Sequence, residues 1–175
     1  MFSSLTKPRF LVITSMIILA ALVRFIPHPP NFAPIAALAL FGGKYYTDKK
    51  FAFIVPVLVM IITDAVIGFH YLIPAVYISF LIIAGIGLLL RKTNKVSWLI
   101  AGSIAASTLF FILTNFYEWY AGILYPQTFN GLITCYVAAI PFFFNTLIAD
   151  LFFVIAMSMT FEFLTRKYQV FAEFN

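Results

Sequence analysis

Six stretches of this chain, roughly residues 10–26, 32–46, 51–68, 71–90, 96–117 and 132–164, are built mostly from apolar side chains. No other feature constrains the fold as much. With 63% hydrophobic and only 10% charged residues among 175, the chain departs from soluble domains, in which about a quarter of residues are charged. Several runs approach the ~20 residues that span a hydrocarbon core. The apolar residues are continuous and do not alternate, which argues against a membrane β-barrel. The expected fold is all-α, a polytopic membrane bundle of six transmembrane helices. It forms a single integral membrane domain over residues 1–175 and is multi-pass in the cell (inner) membrane.

The cations order these helices. Lys and Arg collect on the cytoplasmic side of a membrane. If the N-terminus is inside and all six runs cross, Lys7, Arg9, Lys44, Lys49, Lys50, Arg91, Lys92, Lys95, Arg166 and Lys167 lie inside, and only Arg24 lies outside. Both termini are then cytoplasmic. The second run is short enough to be re-entrant, but treating it so would move Lys44, Lys49 and Lys50 outside and spoil the bias. Lys7 and Arg9 before an apolar run resemble the start of a signal peptide. Arg24 and a proline cluster occupy the place of a cleavage site, so the first run reads as a retained helix. The last run is too long for one span, and Pro141 is expected to divide it into an interfacial piece and a helix of about 24 residues.

The net charge of +5 follows from this topology and does not indicate nucleic acid. Cys135 is the only cysteine, which excludes an internal disulfide and any multi-cysteine metal site. The sequence contains no GxxxxGK[ST], HExxH or GxSxG motif. No catalytic residue, metal site or cofactor is assigned, and the chain is not expected to be an enzyme.

Between the first two runs stands RFIPHPPNFAP, with Pro27, His28, Pro29, Pro30, Asn31 and Pro34. Irregular backbone at membrane depth is tolerated only against protein or a hydrated cavity. The segment therefore reads as a lid or cavity wall, with Pro34 near the start of the next helix and Gly42 and Gly43 at its end. His28, Asn31, Asp64, His70, Asn115 and Asn145 all fall in the outer half of this topology, whereas the inner half is apolar down to the basic loops. Polar groups in a membrane face the bundle interior or water, so the asymmetry points to an outward pocket. Structural roles remain open beside it. Asp64 can pair with Arg24, Asn115 and Asn145 can bond between helices, and Asp150 can sit against Thr146. Glu162 and Arg166 form an i,i+4 pair, and Trp119, Tyr120 and Tyr125 suit interfacial anchors. Ala101, Gly102, Ala105 and Ala106 in the fifth run permit close packing, within the bundle or with a partner.

Six helices, both ends inside, a loop after the first helix and the pattern PVLVMIITDAVIGFH resemble the S component of an energy-coupling factor (ECF) transporter. More narrowly, PHPPNFAPIAALALFGG, TNFYEW, LYPQTFNGL and PFFFNTLIADLFF resemble a bacterial family of uncharacterised six-helix membrane proteins. The resemblance implies a vitamin or micronutrient captured from the outer face. It also implies a transmembrane coupling subunit, two cytoplasmic ATPases and a toppling movement in the membrane lipid. Carried onto this chain, Pro27, His28, Pro29 and Pro30 form the gate. Asn31, Phe32, Asp64, His70, Asn115, Trp119 and Asn145 are candidate substrate-binding residues. S components commonly carry an alanine-xxx-alanine docking pattern on helix one. Here that spacing falls instead on Ala33 and Ala37. The competing readings are a ligand-free structural or assembly subunit and a membrane-embedded lipid enzyme. The latter lacks any clustered acidic motif.

Overall fold

The computed structural model describes residues 7–171. Among them are six α-helices: α1 (Pro8–Ala21), α2 (Ile35–Tyr45), α3 (Lys49–Ile67), α4 (Ile73–Leu89), α5 (Val96–Ala121) and α6 (Phe129–Lys167). Short 3-10 turns follow α1 at Leu22–Phe25, α4 at Leu90–Lys92 and α6 at Gln169–Phe171. With the 3-10 turns that extend α1 and α4 counted in, all helices but α2 are long and apolar enough to cross a membrane, which indicates a membrane protein. Side chains such as Leu19, Ile62, Leu89, Phe152 and Met159 point outward from them, as lipid-facing positions should.

The organising element is the short one. At 1.5 Å per residue, α2 is about 16 Å long, roughly half a hydrocarbon core. Every residue from Ala36 to Tyr45 is buried, so the other helices surround it. Its ends must therefore be satisfied from within the protein. Pro34, at the N-cap, offers no side-chain acceptor. Instead Asp150, fully buried on α6, accepts the Ala37 N–H at 2.9 Å and the Ser107 hydroxyl at 2.8 Å. A carboxylate from another helix thus caps α2 and meets the positive end of its dipole. This replaces the expected Asp150–Thr146 partnership: the Thr146 hydroxyl bonds the carbonyls of Asn31 and Phe142 instead.

The other end of α2 is closed by cations. Arg91 donates from Nε to Gly43 O at 2.8 Å and from its terminal nitrogens to the carbonyls of Tyr46 and Thr47. Arg9 donates to Tyr45 O at 3.1 Å. Lys44 returns the exchange, its Nζ lying 2.6 Å from Thr93 O and 3.2 Å from Leu90 O beyond the end of α4. Cations at helix C-termini complement the dipole, and here α2 and α4 cap one another. The basic residues of the N-terminus, the α2–α3 turn and the α4–α5 turn thereby share one end of the bundle. Tyr45 Oη donates to Glu162 at 2.9 Å, so α2 runs beside the C-terminal half of α6, from the level of Asp150 to that of Glu162.

Gly42 and Gly43 do not end α2; both are helical, and Tyr46 is the C-cap. They are needed for contact. A Cβ on Gly43 would lie 2.3 Å from Ala84 O, and one on Gly87 would lie 2.4 Å from Leu40 O. The α2 and α4 backbones touch at these two glycines. Ala33 and Ala37 are buried too, so their spacing packs the interior and offers no docking face.

Pro141 does not divide the last helix. Thr128 caps the N-terminus of α6 through Gly131 N at 3.1 Å, and the helix runs unbroken for 39 residues, about 58 Å. Proline deprives one carbonyl of its partner, a loss that neighbouring helices make tolerable. Here α5 supports the segment: the Phe111 ring packs on Tyr136 at 5.5 Å and on Phe143 at 4.9 Å, and Tyr136 Oη donates to Ile112 O at 2.8 Å.

Replacing Asp150 with Leu should lower unfolding stability by about 1–3 kcal/mol, since the Ala37 N–H loses its acceptor, while the Ser107 hydroxyl keeps Ser103 O at 3.0 Å. Asp150→Asn should cost less, because one acceptor oxygen survives. Denaturant titration in bicelles measures both, and a D150L protein as stable as wild type would contradict the cap. In the same assay Gly87→Ala should cost about 1–3 kcal/mol by overpacking.

Candidate functional site

At the end of the bundle away from the basic turns lies a cavity of about 240 Å³. Its walls come from the C-terminal halves of α3 and α5, the N-terminal halves of α4 and α6, and the segment before α2. The exposed Asn31 and His70 line it and bring it to the surface.

Two stripes form the long walls. On α5, Phe111, Thr114, Asn115 and Glu118 recur at the 0, 3, 4, 7 spacing of one helix face. On α6, Ala139, Phe142, Phe143 and Thr146 repeat the same spacing, and all eight line the cavity. Thr114 Oγ1 donates to Phe110 O at 2.7 Å and Asn115 Nδ2 to Phe111 O at 2.8 Å. Glu118 is buried, and both its oxygens accept from Tyr71 Oη, at 2.6 and 2.7 Å.

The first helix delivers Arg24. Its guanidinium lines the cavity but folds back on α3. Nη2 lies 2.5 Å from Asp64 Oδ1, while Nη1 donates to Thr63 and lies 3.3 Å from Met60 Sδ. Tyr77 Oη donates to the other Asp64 oxygen at 2.8 Å. The pair is buried, with 10% of the Arg24 side chain and 1% of the Asp64 side chain exposed. This is the Arg24 partnership that the sequence had left open for Asp64.

The proline segment is fastened beside the cavity: Asn31 lines it, and the expected gate residues Pro27, His28, Pro29 and Pro30 are not on its wall. Phe32 N bonds Pro29 O at 2.9 Å, and Asn31 adopts a left-handed φ of 60°. Asn is among the few side chains that tolerate that region. From α6, Asn145 Nδ2 donates to Pro30 O at 2.9 Å, and the Thr146 hydroxyl is shared between Asn31 O and Phe142 O. His28 Nδ1 lies 2.9 Å from Pro29 O.

Of the seven candidate binding residues, Asn31, His70 and Asn115 are brought together on the cavity wall. Phe32, Asp64, Trp119 and Asn145 are not on it. Asp64 stands behind Arg24, Asn145 holds the loop, and Trp119 ties the α5–α6 hairpin through Thr128 O at 3.1 Å. Sequence reasoning missed Glu118, Thr114, Thr146 and Arg24 as wall residues. The matching stripes on α5 and α6 were the available signal. Among the described residues no group of three or more His, Cys, Asp or Glu is placed to hold a metal ion.

A model described as a family of unknown function, DUF6580, matches residues 4–171, and the chain belongs to this family. No curated protein and no solved structure matches the chain.

Removing one partner of a buried ion pair strands the other charge, at a cost of about 3–5 kcal/mol. Arg24→Met should show a loss on that scale in denaturant titration. Arg24→Met combined with Asp64→Leu should recover much of it. Equal stabilities for the single and double variants would mean that the pair does not carry this part of the bundle.

Proposed function

We propose that this member of the DUF6580 family captures a small molecule from the outer face of the cell membrane, as the substrate-binding subunit of an importer. The observation that carries the reading is the cavity of about 240 Å³, walled by two helix stripes and bordered at Asn31 by a loop fastened to α6. Applied to this bundle, the positive-inside rule turns the basic end, with Arg9, Lys44 and Arg91, toward the cytoplasm. Both termini are then cytoplasmic, α2 is the inner half of a sixth crossing, and the cavity mouth faces outward.

A polar recess that stops at the Asp150 cap suits capture better than conduction. The inner half of the bundle is filled by α2 and its core neighbours Ile17, Leu40, Phe80, Ile83 and Phe161. Release to the inside then requires movement of the loop or of the whole subunit. The sequence shows no nucleotide-binding motif, so energy for uphill transport comes from a partner or an ion gradient. By resemblance to ECF S components, the partner is a coupling subunit with ATPases. The loop residues Pro27, His28, Pro29 and Pro30 act as the gate, with Asn145 and Thr146 as its latch.

Protein purified in mild detergent should retain a small compound detectable by mass spectrometry after extraction. Ala139→Phe, which fills the cavity, should abolish that retention while leaving the protein folded. If wild type retains no compound and binds none saturably, the capture reading fails and a ligand-free assembly subunit takes its place. Topology is checked in a Cys135→Ser background. Lys49→Cys should react with an impermeant thiol reagent only after the cells are opened, and Leu124→Cys should react on intact cells.

A further inference from the structure

The charges around the cavity are few enough to be assigned one by one. Arg24, His70 and Glu118 are the only acidic, basic or histidine side chains on its wall. The charge of Arg24 is neutralised by Asp64, which stands outside the cavity. Glu118 is different. Only 9% of it is exposed, and its hydrogen-bond partner is the neutral Tyr71 hydroxyl, which donates to both oxygens. One hydroxyl thus holds both oxygens of a carboxyl group that stands on the cavity wall. Among the described residues the ion pairs are Arg24–Asp64 and Glu162–Arg166, so no described cation pairs with Glu118. A buried carboxylate without a cation is costly. The walls beside it carry Phe110, Phe111, Phe142 and Phe143, whose ring faces attract cations and repel anions.

We infer that the cavity selects small organic cations: a protonated amine or nitrogen heterocycle on a single apolar ring, its positive end on Glu118 and its ring against the phenylalanines of α5 and α6. The inference rests on the capture reading and narrows it. Size agrees with it. At ~30 Å³ for each displaced water, the cavity holds the volume of about eight waters, below the range of about 300–1,000 Å³ typical for drug-sized ligands. One ring with a short polar arm fits that space. Glu118 supplies the counter-charge, and Tyr71 holds the carboxylate in place.

The test compares three probes of one shape, benzylammonium, benzyl alcohol and benzoate, by calorimetry on the full chain in nanodiscs, with empty nanodiscs as the blank. Wild type should bind benzylammonium at least about tenfold more tightly than the other two. Glu118→Gln keeps the shape and should erase that preference, whereas Glu118→Asp keeps the charge and should preserve it if the Gln variant proves unstable. Tyr71→Phe should retain cation binding, because the carboxylate remains; a purely structural Tyr71–Glu118 bond predicts equal losses in both variants, which would overturn the inference. Benzyl alcohol or benzoate binding as well as benzylammonium overturns the cation class alone and leaves capture standing. Saturable binding of none of the three overturns the single-ring cation inference, and capture then stands or falls with the retained compound.

Discussion

The carboxylate of Asp150 against the N-terminus of α2 is the contact on which the rest of the bundle turns. A helix that starts in the middle of an apolar bundle exposes N–H groups to surroundings with no water to receive them. Asp150 carries its own difficulty, a charge in a fully buried site. Each resolves the other, with Ser107 completing the set. Once α2 can begin at half depth, the chain between α1 and α2 need not be helical. The proline segment can then run past the end of α2, and a cavity can form beside it, lined by Asn31.

The two ends of the molecule use polar side chains differently. At the basic end, Lys44, Arg91 and Arg9 spend their charges on backbone carbonyls and lock α2 to α4 and α1. Gly43 and Gly87 bring the α2 and α4 backbones into contact between these caps. At the cavity end the polar groups line a space. Arg24 and Asp64 close on each other, which leaves the chemistry of the wall to Asn31, His70, Thr114, Asn115 and Glu118.

Much of the fold was legible because the membrane makes the code simple. Long apolar runs located five spanning helices within a few residues, and the basic clusters fell at one end. The proline-rich break was readable as irregular backbone held against protein, and Asn31 within it lines the cavity. Asp64 was expected to bind substrate, with pairing to Arg24 as the open alternative, and the structure shows the pairing. Pro141 misled, because a proline in a helix is judged from local geometry, while here α5 supports α6 through Phe111 and Tyr136. Gly42 and Gly43 misled in the same way, as local helix breakers that serve instead as contact points.

By itself, then, the sequence determined the class of fold, the positions of the helices, the polarity of the two ends and the place of the loop. Those follow from hydropathy, charge and proline geometry, which are properties of short stretches. Only the tertiary structure decided that Asp150 caps a helix more than a hundred residues away. It also withdrew Asp64 from the cavity and installed Glu118 there. Such roles depend on which groups compete for the same partner across helices, and hydrogen bonds in an apolar interior are settled by that competition rather than by spacing along the chain.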